Sequence, residues 1–141
     1  MRCVFTSLAV TILFASTAVL GGDAQKAKLE GTWLGTSWKR GDGEVPKGKV
    51  ATELVITKDA YEFPTGINRI SKKGTLKIDS AKNTIDFMPE DGFAKGKTLL
   101  GIYKVEGDIL TLCFTSASLP RPKEFKTADR NTVLATYERK K

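Results

Sequence analysis

From about residue 29 onward, apolar and polar positions alternate in short runs, and turn-forming residues break the pattern at close intervals. The opening run, 29–39, carries Trp33 and Trp38. Along 49–57, Thr52, Leu54 and Ile56 share a face, and past a Lys58-Asp59 turn Tyr61 and Phe63 share one over 60–63. Leu76 and Ile78 pair within 74–78, and Ile85 and Phe87 within 84–88. The stretch 98–105 turns at Glu106-Gly107-Asp108 and returns through 109–115, with Leu110, Leu112 and Phe114 on one side and Thr111, Cys113 and Thr115 on the other. A last run covers 131–140. Residues 66–71 carry no clear pattern, and 89–96 reads as a polar, solvated loop. Residues 116–123 contain two prolines, which cannot sit in a central strand. No part of this region keeps a 3.6-residue period over three turns. Period-two runs at this spacing predict an all-β, antiparallel barrel or sandwich.

With about eight strands, a barrel interior is either just filled by side chains or holds one small ligand. The inward set is expected to be Leu54, Ile56, Tyr61, Phe63, Leu76, Ile78, Ile85, Phe87, Leu110, Leu112 and Phe114. These are bulky, so a packed interior is favoured over a hollow one. Trp38 lies five residues after Trp33. Strict alternation puts it on the opposite face, near an open rim.

The first residues follow another rule. Arg2 is the only charge before Asp23, residues 4–20 are apolar or small, and small residues follow. This is the pattern of a secretory signal over 1–24, with cleavage after Ala18 or Ala24. The alternative is an uncleaved membrane anchor, because the run is close to the shortest spanning helix. The barrel domain is then 25–141, exported to the periplasm or the extracellular space, with no membrane span once the signal is removed.

Composition narrows the chemistry. The 141 residues include no His. That excludes His-activated Ser or Cys nucleophiles and the usual zinc sites. Only Cys113 remains after signal removal, so the exported chain has no internal disulfide. Cys113 reads as a small half-buried thiol. A carboxylate pair such as Glu53 and Asp86 is the remaining enzymatic option, but both point outward on their strands. No cofactor, metal or catalytic residue is expected. The net charge is +7, and the cations are spread over turns and strand ends. They act as a solubilising rim or attract an anionic surface such as lipid headgroups or acidic polysaccharide. They form no dense aromatic-interleaved patch of the kind nucleic acid binding requires. Arg121 and Glu124 read as an ion pair or backbone-bonding set that fixes their loop. Glu90 and Asp91 read as a solvated turn, because calcium needs more oxygen ligands.

Three blocks carry a resemblance: 29–33 (LEGTW), 91–103 (DGFAKGKTLLGIY), and 110–114 (LTLCF) followed by 121–125 (RPKEF). Together they resemble an uncharacterised exported domain family abundant in planctomycete bacteria, over roughly residues 29–139. The resemblance implies a lipocalin-like up-and-down barrel and an export route, but no activity. Gly31-Thr32-Trp33 also matches the Gly-x-Trp of lipocalins. In that family the Trp seals the closed end beneath a basic residue of the last strand, and Arg139 takes that part here. The chain departs from lipocalins in its shortness, its lack of a disulfide and the absence of a following amphipathic helix.

Two functions are expected. One is a monomeric binding module whose open end holds a small apolar or amphipathic ligand, with Tyr61, Phe63, Tyr103 and Phe114 lining the cavity and Trp33 and Arg139 forming the floor. The other is a solid-core structural or interaction module that binds an envelope component, either a protein or an anionic surface.

Overall fold

The computed structural model describes residues 28–46, 53–64, 71–127 and 129–141. The expected signal over 1–24, the beginning of the 49–57 run and most of 66–71 lie outside these residues. Nine strands occur among the described residues: β1 (Gly31–Arg40), β2 (Gly43–Glu44), β3 (Glu53–Thr57), β4 (Ala60–Glu62), β5 (Lys73–Asp79), β6 (Thr84–Pro89), β7 (Leu99–Glu106), β8 (Ile109–Thr115) and β9 (Thr132–Arg139). From β3 to β9 each strand pairs antiparallel with the next, and β1 pairs with both β3 and β9. The result is a closed, all-β, up-and-down barrel of eight strands. Two-residue β2 is appended to the far end of β1, where Lys39 faces Glu44. Closure pairs every central strand on both sides, leaving no long exposed edge.

The antiparallel register sorts the connections into two ends. The turns at 58–59, 80–83 and 107–108 gather with Gly31 and Arg139 at one end. The β1–β2 turn, the loop 90–98 and the loop 116–131 lie at the other.

Strict alternation fails once, inside β1. Gly35 faces Tyr137 and Ser37 faces Thr136, so Thr36 is an extra residue in the ladder. Its hydroxyl donates to the Thr136 carbonyl at 3.1 Å. Such a bulge shifts the phase of alternation by one. Trp38 therefore faces the interior together with Trp33, and the expectation that it sits on the opposite face is corrected.

The interior is packed with rings. Trp38 meets Phe63, Phe114 and Tyr137 edge-on at 6.3–6.4 Å between centroids. Tyr61 lies 5.6 Å from Phe63 and 5.1 Å from Phe87, and Phe87 lies 5.4 Å from Phe114. All but the tilted Phe87–Phe114 pair take the edge-to-face geometry that ring quadrupoles prefer. Tyr61 packs over Gly74, where a Cβ would stand 2.3 Å from the Met88 carbonyl and 2.8 Å from the tyrosine ring. The space left inside the cluster is about 20 Å³, room for a single water. Of the expected inward set, Ile78 is only partly buried, and Leu29, Leu99, Tyr103 and Tyr137 join the core.

Residues 116–127 form a strap across the outer face of β6–β8. Arg121 forks onto both carboxylate oxygens of Asp86 and donates to the Gly101 carbonyl at 2.7 Å. Thr115 Oγ1 donates to the Pro120 carbonyl at 3.2 Å. Cys113 is fully buried beneath the strap, not half-buried, and its thiol donates to the Lys126 carbonyl. Of the expected pair only Arg121 holds the loop to the barrel, because Glu124 pairs at the surface with Lys126.

Candidate functional site

The closed end is built around one indole. Trp33 is fully buried, and its Nε1–H donates to the Leu29 carbonyl at 2.9 Å. The Arg139 guanidinium lies 4.2 Å from the ring centroid, within cation–π range. Its terminal nitrogens donate to the carbonyls of Glu30 and Lys28, and its Nε faces Asp108 at 3.7 Å. Gly31 has φ +129°, and a Cβ there would stand 3.1 Å from Arg139 Nη1. The glycine of Gly-x-Trp thus leaves the guanidinium its path over the ring. Leu29, Trp33 and Arg139 pack together across this end of the barrel.

Of the residues expected to line a cavity, Tyr61, Phe63 and Phe114 border the small space of about 20 Å³ within the rings. Tyr61, Phe63 and Phe114 belong to the interior ring cluster. Tyr103 is buried, and its hydroxyl finds no partner among the described residues; the same holds for Tyr137 Oη and Trp38 Nε1. Burial pushes the Tyr103 hydroxyl above the ordinary tyrosine range, and the negative charge of Asp79 adds to the effect. Burial raises Tyr137 much further. The nearby Trp38 indole offsets part of this without completing a bond of standard geometry.

Tyr61 leads into a polar pin at the open end. Its hydroxyl donates to Ser71 Oγ at 2.9 Å. Asp91 Oδ1 accepts from the Ser71 hydroxyl at 2.9 Å and from the backbone N–H groups of Lys72 and Lys73 at 2.7 and 3.3 Å. Desolvation opposes ionisation of Asp91. The bonds from Lys72, Ser71 and Lys73, with the Lys73 charge, outweigh it and hold the carboxyl below its usual range. Asp91 is therefore no free solvated turn residue; it ties the loop 90–98 to the start of β5.

Beside this pin, at the open end, lies a cleft of about 240 Å³. Its apolar surface comes from Phe93, Leu99, Phe114 and Val133. Arg40 and Lys97 stand at its walls, and no carboxylate lines it. Arg40 is held by a bond from its Nε to the Arg130 carbonyl. Of the expected ligand-lining residues only Phe114 reaches this cleft. Arg40, Phe93 and Lys97 are its unforeseen members. The available signal was an aromatic residue set between Gly92 and Gly96 in an otherwise polar loop. A second depression, of about 220 Å³, lies against the outer side of β3–β5 and carries Glu62, Glu90 and Lys73.

The carboxylate pair considered from the sequence is not assembled. Asp86 is engaged by Arg121, and Glu53 by Lys140 at 2.9 Å. Among the described residues no three of His, Cys, Asp and Glu converge to hold a metal ion, and no helix is long and apolar enough to cross a membrane. No family model, no curated protein and no solved structure matches this chain.

Proposed function

We propose that this chain is an exported, non-enzymatic barrel that binds a small amphipathic ligand at its open end. The ligand sits in the rim cleft and not in a deep calyx. The single observation carrying this reading is the cleft itself: an apolar surface from Phe93, Leu99, Phe114 and Val133 beside two cations and no carboxylate. Apolar walls with a few convergent polar groups are the usual make-up of a ligand site. At about 240 Å³ it lies just under the roughly 300–1,000 Å³ typical of drug-sized sites, so the occupant is smaller. Export rests on the N-terminal leader pattern, and membership of the planctomycete export family rests on the three sequence blocks.

The test is an NMR titration of the purified protein with short-chain alcohols, acids and amines. Saturable amide shifts confined to Phe93, Lys97, Leu99 and Val133 are expected. A panel that moves none of these signals overturns the reading. The filled interior favours a second reading, a solid-core interaction module at the envelope. It predicts no small-molecule response and a partner retained from an envelope fraction.

A further inference from the structure

The loop bearing Phe93 holds that ring out in water. Phe93 is 81% exposed, about twice as much as Leu34, the other large exposed apolar residue among those described. Its exposure does not come from a loosely held loop. Ala94 is buried beneath it. Gly92 and Gly96 take φ +71° and +76°, and backbone bonds run from Gly96 N–H to the Pro89 carbonyl and from Lys97 N–H to the Ala94 carbonyl. Asp91 pins the base of the loop. Lys95 and Lys97 follow Phe93 in the same loop, both exposed and without an ion pair among the described residues. Of the two acids at the base of the loop, Asp91 is bonded by three donors and Glu90 is exposed.

We infer that the open end docks on an anionic lipid bilayer, with Phe93 entering the boundary between headgroups and acyl chains and Lys95 and Lys97 contacting lipid phosphates. The argument is one of chemical complementarity. An aromatic ring gains from hydrocarbon, and two ammonium groups gain from fixed negative charge. A bilayer rich in acidic headgroups offers both within a few ångströms, as in proteins that bind at the membrane interface. An acidic polysaccharide offers the charge without the hydrocarbon. The inference goes beyond ligand binding in the cleft, and the two are measured separately: docking turns the cleft mouth toward the membrane but needs no ligand.

The test is co-sedimentation of the purified protein with phosphatidylglycerol-containing vesicles against pure phosphatidylcholine vesicles. Retention on the anionic vesicles alone, weakening as salt rises, is expected. Phe93→Ser lowers vesicle affinity about tenfold or more, the scale for losing one buried aromatic side chain. Lys95→Gln and Lys97→Gln lower it about fivefold each, while Lys82→Gln, at the closed end, leaves it unchanged. All of these are surface positions, and circular dichroism checks that each variant folds. In Phe93→Trp, a blue shift of the added emission on contact with anionic vesicles supports insertion. Three results overturn the inference: equal retention on both vesicle types, anionic retention unaffected by Phe93→Ser, or retention on a soluble acidic polysaccharide as strong as on vesicles.

Discussion

At the scale of single residues, the closed end shows how a short motif becomes geometry. Gly31 is needed for its φ of +129° and for the path it leaves Arg139. Trp33 supplies a large buried surface and a donor that the Leu29 carbonyl satisfies. Arg139 stacks on the ring and ties down the chain entering β1. Removing the indole leaves a cavity that three tight turns and a stacked guanidinium cannot collapse into. Trp33→Ala is therefore expected to lose about 3–5 kcal/mol of stability, measured by denaturant unfolding. A variant that unfolds at the wild-type midpoint contradicts this role. The pairing of Trp33 with Arg139 was expected from the resemblance of Gly31-Thr32-Trp33 to the lipocalin motif. The contribution of Leu29 was not, since an apolar residue just ahead of a strand has no distinctive signature.

At the scale of elements, the connections do more than join strands. The strap 116–127 is held to the barrel wall by the Arg121 fork on Asp86 and its bond to the Gly101 carbonyl. Arg121→Ala leaves the Asp86 carboxylate without its partner and frees the loop. A loss of about 1.5–3 kcal/mol is expected, the range for charge-assisted hydrogen bonds. Burial also raises the Cys113 thiol, although its bond to the Lys126 carbonyl works slightly the other way. Native protein should react slowly with a thiol reagent, and Arg121→Ala should react markedly faster. Equal labelling rates would show that the strap does not depend on Arg121. The Asp91 pin carries a pH signature. Its folded-state value is depressed, so its stabilisation is fully present above the unfolded carboxyl value, near 4, and fades as pH falls through the lower folded value. Asp91→Asn should melt below wild type at pH 7, with the gap closing progressively below pH 4. A gap that persists unchanged in acid would rule out ionisation as its source. The loop-fixing part of Arg121 was legible in the sequence, but its partner Asp86 and the Asp91 pin were not. Arg121 and Asp86 stand 35 residues apart, and Ser71 and Asp91 stand 20 apart. Only the strand order brings them together.

At the scale of the whole molecule, the described interior is packed with aromatic rings, and their polar tips are buried with them. The chain has three tyrosines. Tyr61, Tyr103 and Tyr137 all lie above the ordinary tyrosine value, with burial the first cause in each. A raised folded value means that the neutral form is favoured. The resulting stability is fully present below the unfolded value, near 10, and is lost as pH rises toward the folded values. Spectrophotometric titration is expected to show little tyrosinate at pH 10, followed by a steep joint appearance as the barrel unfolds in stronger alkali. Three independent titrations near pH 10 would mean that the rings reach solvent, and with them that the interior is open.

Some properties of this molecule belong to the local chain. Period-two alternation, the turn residues and the absence of a helical period determine an all-β antiparallel fold, because side-chain direction along a strand depends only on parity. The strand Ile109–Thr115 could be read with its actual limits for that reason. Closure into a barrel rests on the pairing of β1 with β9. Tertiary structure decided what parity cannot express. One extra residue at Thr36 turned Trp38 inward, because a bulge is a property of the pairing between β1 and β9 and not of β1 alone. The rim cleft likewise exists only where β1, the loop 90–98, β8 and β9 meet. Its residues are distant in sequence, and barrel closure alone makes Arg40, Phe93, Lys97 and Phe114 neighbours.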